Sequence, residues 1–142
     1  MAKKPRSKLW IVSTHVLTTG FAFLLLASLI AFSIVLYARP ENPFSALGIG
    51  LALMAIGYVG GTFYSLSYLK SAAEFSDWTS CTKPSIITFC ILALIGFTLN
   101  IIRGPDRSAL AIAMLVVFYV VVIFAFVKIT ANGFERLQGK RT

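Results

Sequence analysis

The sequence predicts an all-α protein, a bundle of four membrane-spanning helices, and three observations carry that expectation. Only 13% of the 142 residues are charged while 58% are hydrophobic, whereas a soluble domain carries about 25% charged residues. The charges that remain are clustered, leaving four apolar stretches at 9–37, 45–69, 85–102 and 109–127. Each approaches or exceeds the ~20 helical residues that a hydrocarbon layer of roughly 30 Å requires. The stretches are continuous rather than alternating, which excludes the pattern of a transmembrane β-barrel.

The first stretch is longer than a crossing needs. Its excess fits an interfacial start from Trp10 to Thr14, since tryptophan commonly sits at headgroup level. Lys3, Lys4, Arg6 and Lys8 before an apolar run resemble the start of a signal peptide. The apolar part of such a peptide spans only about 7–15 residues, so this one reads as a retained helix. The second stretch fits a crossing with tilt, and the last two just span.

The connections divide into two kinds. Those at 38–44 and 103–108 are short and carry Pro40, Pro43, Gly104 and Pro105, which end one helix before the next begins. Short connections force antiparallel neighbours, so the expected architecture is two helical hairpins joined by the longer loop 70–84. In that loop Phe75 and Trp78 are expected to anchor a short surface helix at the interface, with Ser76 or Asp77 as its cap. Pro84 suits the first turn of the third helix.

Orientation follows from lysine and arginine. The tail 1–8, the loop 70–84 and the tail 128–142 hold Lys3, Lys4, Arg6, Lys8, Lys70, Lys83, Lys128, Arg136, Lys140 and Arg141, against only Arg39, Arg103 and Arg107 in the short turns. The positive-inside rule places the richer side in the cytoplasm, with both termini there. A multi-pass protein of a bacterial inner membrane is preferred to one of a eukaryotic membrane. The net charge of +8 is accounted for by this asymmetry. A nucleic-acid partner is not expected, because no basic stripe interleaved with aromatics lies outside the apolar stretches.

The hairpins resemble each other. Residues 29–34 match 94–99 at an offset of 65, residues 45–51 match 108–114 at an offset of 63, and Pro40-Glu41 answers Pro105-Asp106. Shared apolar composition would produce part of this. A true duplication predicts that the halves are related by rotation about the membrane normal.

The second helix carries the clearest packing signal. Ala46, Gly50, Gly57, Gly60 and Gly61 fall within one arc of roughly 100° at helical periodicity, and Gly57 and Gly61 have the small-xxx-small spacing that lets helix backbones approach in lipid. Gly48, Ala52 and Ala55 form a second small face opposite. Two faces suit a helix with neighbours on both sides, one inside the bundle and one in another subunit. They equally suit a helix whose two neighbours both belong to this chain.

Chemistry is sparse. Glu41, Glu74, Asp77, Asp106 and Glu135 all lie in loops or the tail, so a proton-coupled carrier built on a membrane carboxylate is not expected. His15 is the sole histidine, which rules out bis-histidine haem or a histidine-rich metal site within one chain. It lies with Ser13, Thr14, Thr18 and Thr19 in a polar patch. His15 and Thr19, one turn apart, are the candidate contacts for a lipid headgroup, quinone or partner. The competing reading is an interfacial side chain bonded to water or to neighbouring backbone. Asn100 is expected to bond across helices. Cys81 and Cys90 lie at different depths and predict no disulfide. No nucleophile–base pair or phosphate loop is present, so neither an enzyme, a cofactor nor a metal is expected.

Two function classes fit. One is a structural or accessory subunit that packs against other transmembrane helices, its partners being membrane lipids and either other subunits or copies of itself. The alternative is a homo-oligomeric transporter or channel for small solutes, built around the polar patch or a glycine-lined path.

Overall fold

The computed structural model describes residues 4–38, 43–103 and 108–139. The expected outer turns fall largely outside these segments. The described chain is helical save for one two-residue strand pair. In order it forms β1 (Lys4–Pro5), α1 (Lys8–Leu17), a π-helical turn (Thr18–Ala22), α2 (Phe23–Ala38), α3 (Pro43–Ala72), β2 (Ala73–Glu74), a 3-10 turn (Trp78–Cys81), α4 (Thr82–Arg103) and α5 (Ala109–Gly139). Four helical segments are long and apolar enough to cross a membrane: Lys8–Tyr37, Phe44–Ala72, Trp78–Arg103 and Ala109–Gly139. Their outward faces carry large apolar side chains such as Leu25, Phe32, Ile56, Leu94, Val117 and Phe124. An exterior of this kind is costly in water and ordinary in lipid.

Side-chain caps fix where the helices start. Ser7 Oγ accepts from the Trp10 amide at 3.2 Å, and Ser108 Oγ accepts from the Ala111 amide at 3.3 Å. Each satisfies an amide that has no partner within its own helix. Asp77 caps the 3-10 turn, accepting from Ser80 N at 3.2 Å and from Thr79 Oγ1 at 3.0 Å. Those bonds, the Thr79 hydroxyl first, hold the Asp77 carboxyl below its usual range. Pro84 lies in the first turn of α4, where its missing N–H costs nothing.

Both ends of the described chain and the central loop meet at one end of the bundle. β1 pairs in parallel with β2, and the Arg6 amide reaches the Glu74 carbonyl at 3.3 Å. Gln138 on α5 accepts from Trp78 N at 2.8 Å and donates to Ser76 O at 3.0 Å. A core of Ile11, Val12, Leu69, Trp78, Cys81 and Phe134 fills the space beneath.

Two expectations are corrected here. The C-terminal segment from 128 is not a free tail: α5 continues to Gly139, because Phe126, Thr130 and Phe134 extend one buried stripe at i, i+4 spacing. The loop forms a 3-10 turn rather than a surface helix, and Trp78 is 3% exposed. Its ring lies 6.2 Å from that of Phe134, so the indole is packed inside rather than anchored at an interface.

The helices form a ring. α3 packs against both the first span and α5, while α4 packs against α5 and α1. The two hairpins therefore lie side by side in the same sense, the first span beside α4 and α3 beside α5. A rotation near 180° about the bundle axis would put those pairs diagonally opposite. The expected rotational relation between the halves is not the one adopted.

The π turn falls at Thr18-Thr19-Gly20, where two β-branched residues meet a glycine, and such turns kink the helices that contain them. α1 packs on α4, whereas α2, beyond the turn, packs chiefly on α3. The first span and α4 thus separate toward the hairpin-turn end of the bundle.

Candidate functional site

Of the predicted polar patch, His15 and Thr19 are buried, while Ser13, Thr14 and Thr18 are only half-buried. His15 is fully buried, as are Thr19, Ser65, Ser85 and Thr130, with Thr62 nearly so. His15 Nδ1 lies 2.9 Å from Ser65 Oγ on α3, and Nε2 lies 2.9 Å from Thr130 Oγ1 on α5. One imidazole on the first span thus reaches both its ring neighbour α3 and α5, which lies diagonally across the ring.

One tautomer satisfies all three contacts: where the Ser65 hydroxyl donates to the His15 carbonyl at 3.4 Å, Nδ1 carries the hydrogen that Ser65 Oγ accepts and Nε2 accepts from the Thr130 hydroxyl. The His15 carbonyl also receives the Thr18 amide at the entrance to the π turn. Every polar position of the ring is used within the protein.

Aromatic rings sandwich the imidazole. Phe126 stacks on it at 5.2 Å and 30°, Phe134 tilts against it at 5.2 Å, and Phe89 stacks on Phe126 at 3.9 Å and 9°. The series His15, Phe126, Phe89 spans the bundle from the first span to α4. The expectation of an interfacial histidine bonded to water or nearby backbone is therefore replaced: its partners are two hydroxyls on distant helices. Thr19, its companion, is buried nearby, but its Oγ1 has no hydrogen-bond partner, nor has Ser85 Oγ. Ser33 and Thr98 are exposed and donate to the carbonyls of Leu29 and Leu94 in their own helices.

On the hairpin-turn side of the ring stack, the parting of the first span from α4 leaves a cleft of about 330 Å³. Asn100 Nδ2 donates to Tyr119 OH at 3.1 Å across α4 and α5, as expected of a cross-helix amide, and to Gly96 O at 3.0 Å. Gly96 leaves room for the phenol, which sits 3.1 Å from where a Cβ would lie. Tyr58 also lines this cleft and packs edge-on against Phe89.

The small residues of α3 divide differently from the expected two arcs. A Cβ at Gly50 would touch Ala31 of α2 at 3.8 Å, and one at Gly48 would touch Met114 of α5 at 3.3 Å. Both faces thus meet helices of this chain. Gly61 is buried and Ala46 and Gly57 are half-buried, but Gly60 is exposed with nothing within 4 Å of its Cβ position. Ala52 and Ala55 line an apolar groove of about 480 Å³ between α3 and α5, facing outward with Gly48 and Ala113.

Among the described residues no group of three or more histidine, cysteine or carboxylate side chains could hold a metal. Cys81 and Cys90 are both free. Comparison with known protein families, with characterised proteins and with solved structures gave no match.

Proposed function

We propose that this chain is a four-span integral membrane protein with both termini in the cytoplasm, acting as a structural or accessory component that packs against other transmembrane helices. The carrying observation is the outward groove between α3 and α5, lined by Gly48, Ala52, Ala55 and Ala113. In lipid, apolar contact alone gives helices little reason to associate, and close approach at small residues supplies much of the energy. The small residues in this groove, set among larger apolar ones such as Leu51, Val117 and Phe118, suit such an approach. The saturated His15 network and the rings behind it favour a closed bundle over a hydrated path.

The experiment is extraction into a mild detergent or nanodisc, followed by mass spectrometry of what co-purifies. The expected result is a complex larger than the monomer, from which Ala52→Leu or Ala113→Leu is released while remaining helical. Overpacking at a contact costs typically 1–3 kcal/mol, up to roughly a hundredfold in association. A monodisperse monomer, or a complex indifferent to both substitutions, rejects the proposal.

A further inference from the structure

A second groove lies between α3 and α5 at the end that carries the termini, with a volume of about 380 Å³. Three cations converge on it, Lys70 from α3 and Lys128 and Arg136 from α5, together with Ser67 and Asn132. Lys128, Asn132 and Arg136 follow one another at i, i+4 and i+8, so they stand on one face of α5. Ser67 and Lys70 do the same on α3 at i, i+3. Among the described residues no carboxylate lines the groove. Glu135, the acidic neighbour on α5, is exposed and outside the lining.

Phe63, Leu66 and Ile129 line the groove beside the cations, and Lys128 immediately follows the apolar run that ends at Val127. Lys128 Nζ lies 5.8 Å from the centroid of the Phe124 ring, one turn further into that run. Gly133 keeps the two helices close, since a Cβ there would run into the Leu66 side chain. The groove therefore offers cations and hydrogen-bonding side chains spread over two turns of α5, interleaved with the hydrocarbon of Phe63, Leu66, Ile129 and Leu137.

We infer that this groove binds the phosphate-bearing headgroup of an anionic phospholipid, with an acyl chain lying along Phe63. The inference rests on the membrane reading above. Scattered basic residues at helix ends meet lipid headgroups only diffusely. Three converging on one cleft between helices, with Ser67 and Asn132 among them, make a defined site for a phosphate diester.

The test uses the full chain in nanodiscs or detergent, with bound lipid read by native mass spectrometry and thermal stability. Phosphatidylglycerol and cardiolipin should be retained and raise the melting temperature over phosphatidylcholine, with an effect that shrinks as salt rises. Lys70→Gln, Lys128→Gln and Arg136→Gln should each weaken retention about fivefold, the effect of removing roughly one kcal/mol per cation. Lys83→Gln, an exposed cation outside the groove, should change nothing. Circular dichroism confirms that each variant is folded. Equal retention of phosphatidylcholine, or retention by the triple variant, overturns the inference. Binding of inorganic phosphate alone at comparable strength assigns the groove to a soluble phosphate instead and equally overturns it. Release of the native protein from membranes by carbonate would fail the membrane reading itself, a different outcome from insertion without lipid preference.

Discussion

At the scale of single residues, the decisive side chain is a histidine that the sequence singles out without revealing its partners. Its position in an apolar helix beside several threonines is legible. Ser65 and Thr130 are not, because they lie 50 and 115 residues away and resemble any other hydroxyl until the helices are packed. Asn100 was easier, since an amide within an apolar run has few options besides a neighbouring helix. Because His15 is the only histidine, its ring can be observed directly. The ¹⁵N spectrum of imidazole-labelled protein at pH 7 should show a protonated Nδ1 and an unprotonated Nε2, and the reverse assignment contradicts the network. A His15→Phe/Thr130→Val double-mutant cycle should give a coupling of about 0.5–1.5 kcal/mol, the range for hydrogen bonds between transmembrane helices. No coupling would mean that the bond is geometric only.

Gly133 gives a second prediction at this scale, because two effects oppose each other there. Alanine in place of a helical glycine gains roughly 1 kcal/mol of propensity. The added Cβ, however, meets Cδ1, Cδ2 and Cγ of Leu66, so the entire side chain must move, and overpacking of this kind costs typically 1–3 kcal/mol. The clash should win. Gly133→Ala is expected to lower the melting temperature, and Leu66→Ala in the same chain should restore part of the loss. A Gly133→Ala protein more stable than the parent would show that Leu66 yields freely.

At the scale of elements, four helices were readable from hydrophobicity and length, and so were the place of Pro84 and, as one of two candidate caps, Asp77. Their ends were not. Hydropathy falls after Val127, yet α5 continues because Phe134 has the loop and Trp78 to pack against. Packing of that kind overrides composition and cannot be seen from one helix alone. The glycines of α3 taught a related lesson. Small residues marked real close contacts at Gly48 and Gly50, but helical periodicity could not say which helix would fill each face. The π turn was also invisible, although Thr18, Thr19 and Gly20 form a plausible place for it once the separation of α2 from α4 is known.

At the scale of the whole molecule, the ring of two hairpins places β1, the central loop and the end of α5 together. Whether that end faces the cytoplasm is a matter for labelling. In a background of Cys81→Ala and Cys90→Ala, Ser108→Cys should react with an impermeant maleimide only from outside, and Thr79→Cys only from inside. The opposite pattern would invert the proposed topology without altering the fold. The internal similarity of the hairpins led to the wrong symmetry because sequence offsets constrain the order of residues, not the direction in which a second hairpin is laid beside the first.

The Gln138 side chain accepts from Trp78 N and donates to Ser76 O, and this has a consequence for synthesis. The loop joining the hairpins is made some sixty residues before the group that closes it. Until the last turns of α5 leave the ribosome, the Trp78 indole and the loop backbone have no lid. A molecule lacking those turns would display the Trp78 indole and the loop backbone that the closed bundle hides. Truncation after Asn132 should leave the helices inserted while making the segment 75–81 sensitive to protease and Trp78 accessible to an aqueous quencher. Equal protection in the truncated and full-length proteins would show that the loop holds itself closed. Otherwise, the final seven described residues act as a seal over the loop and its tryptophan.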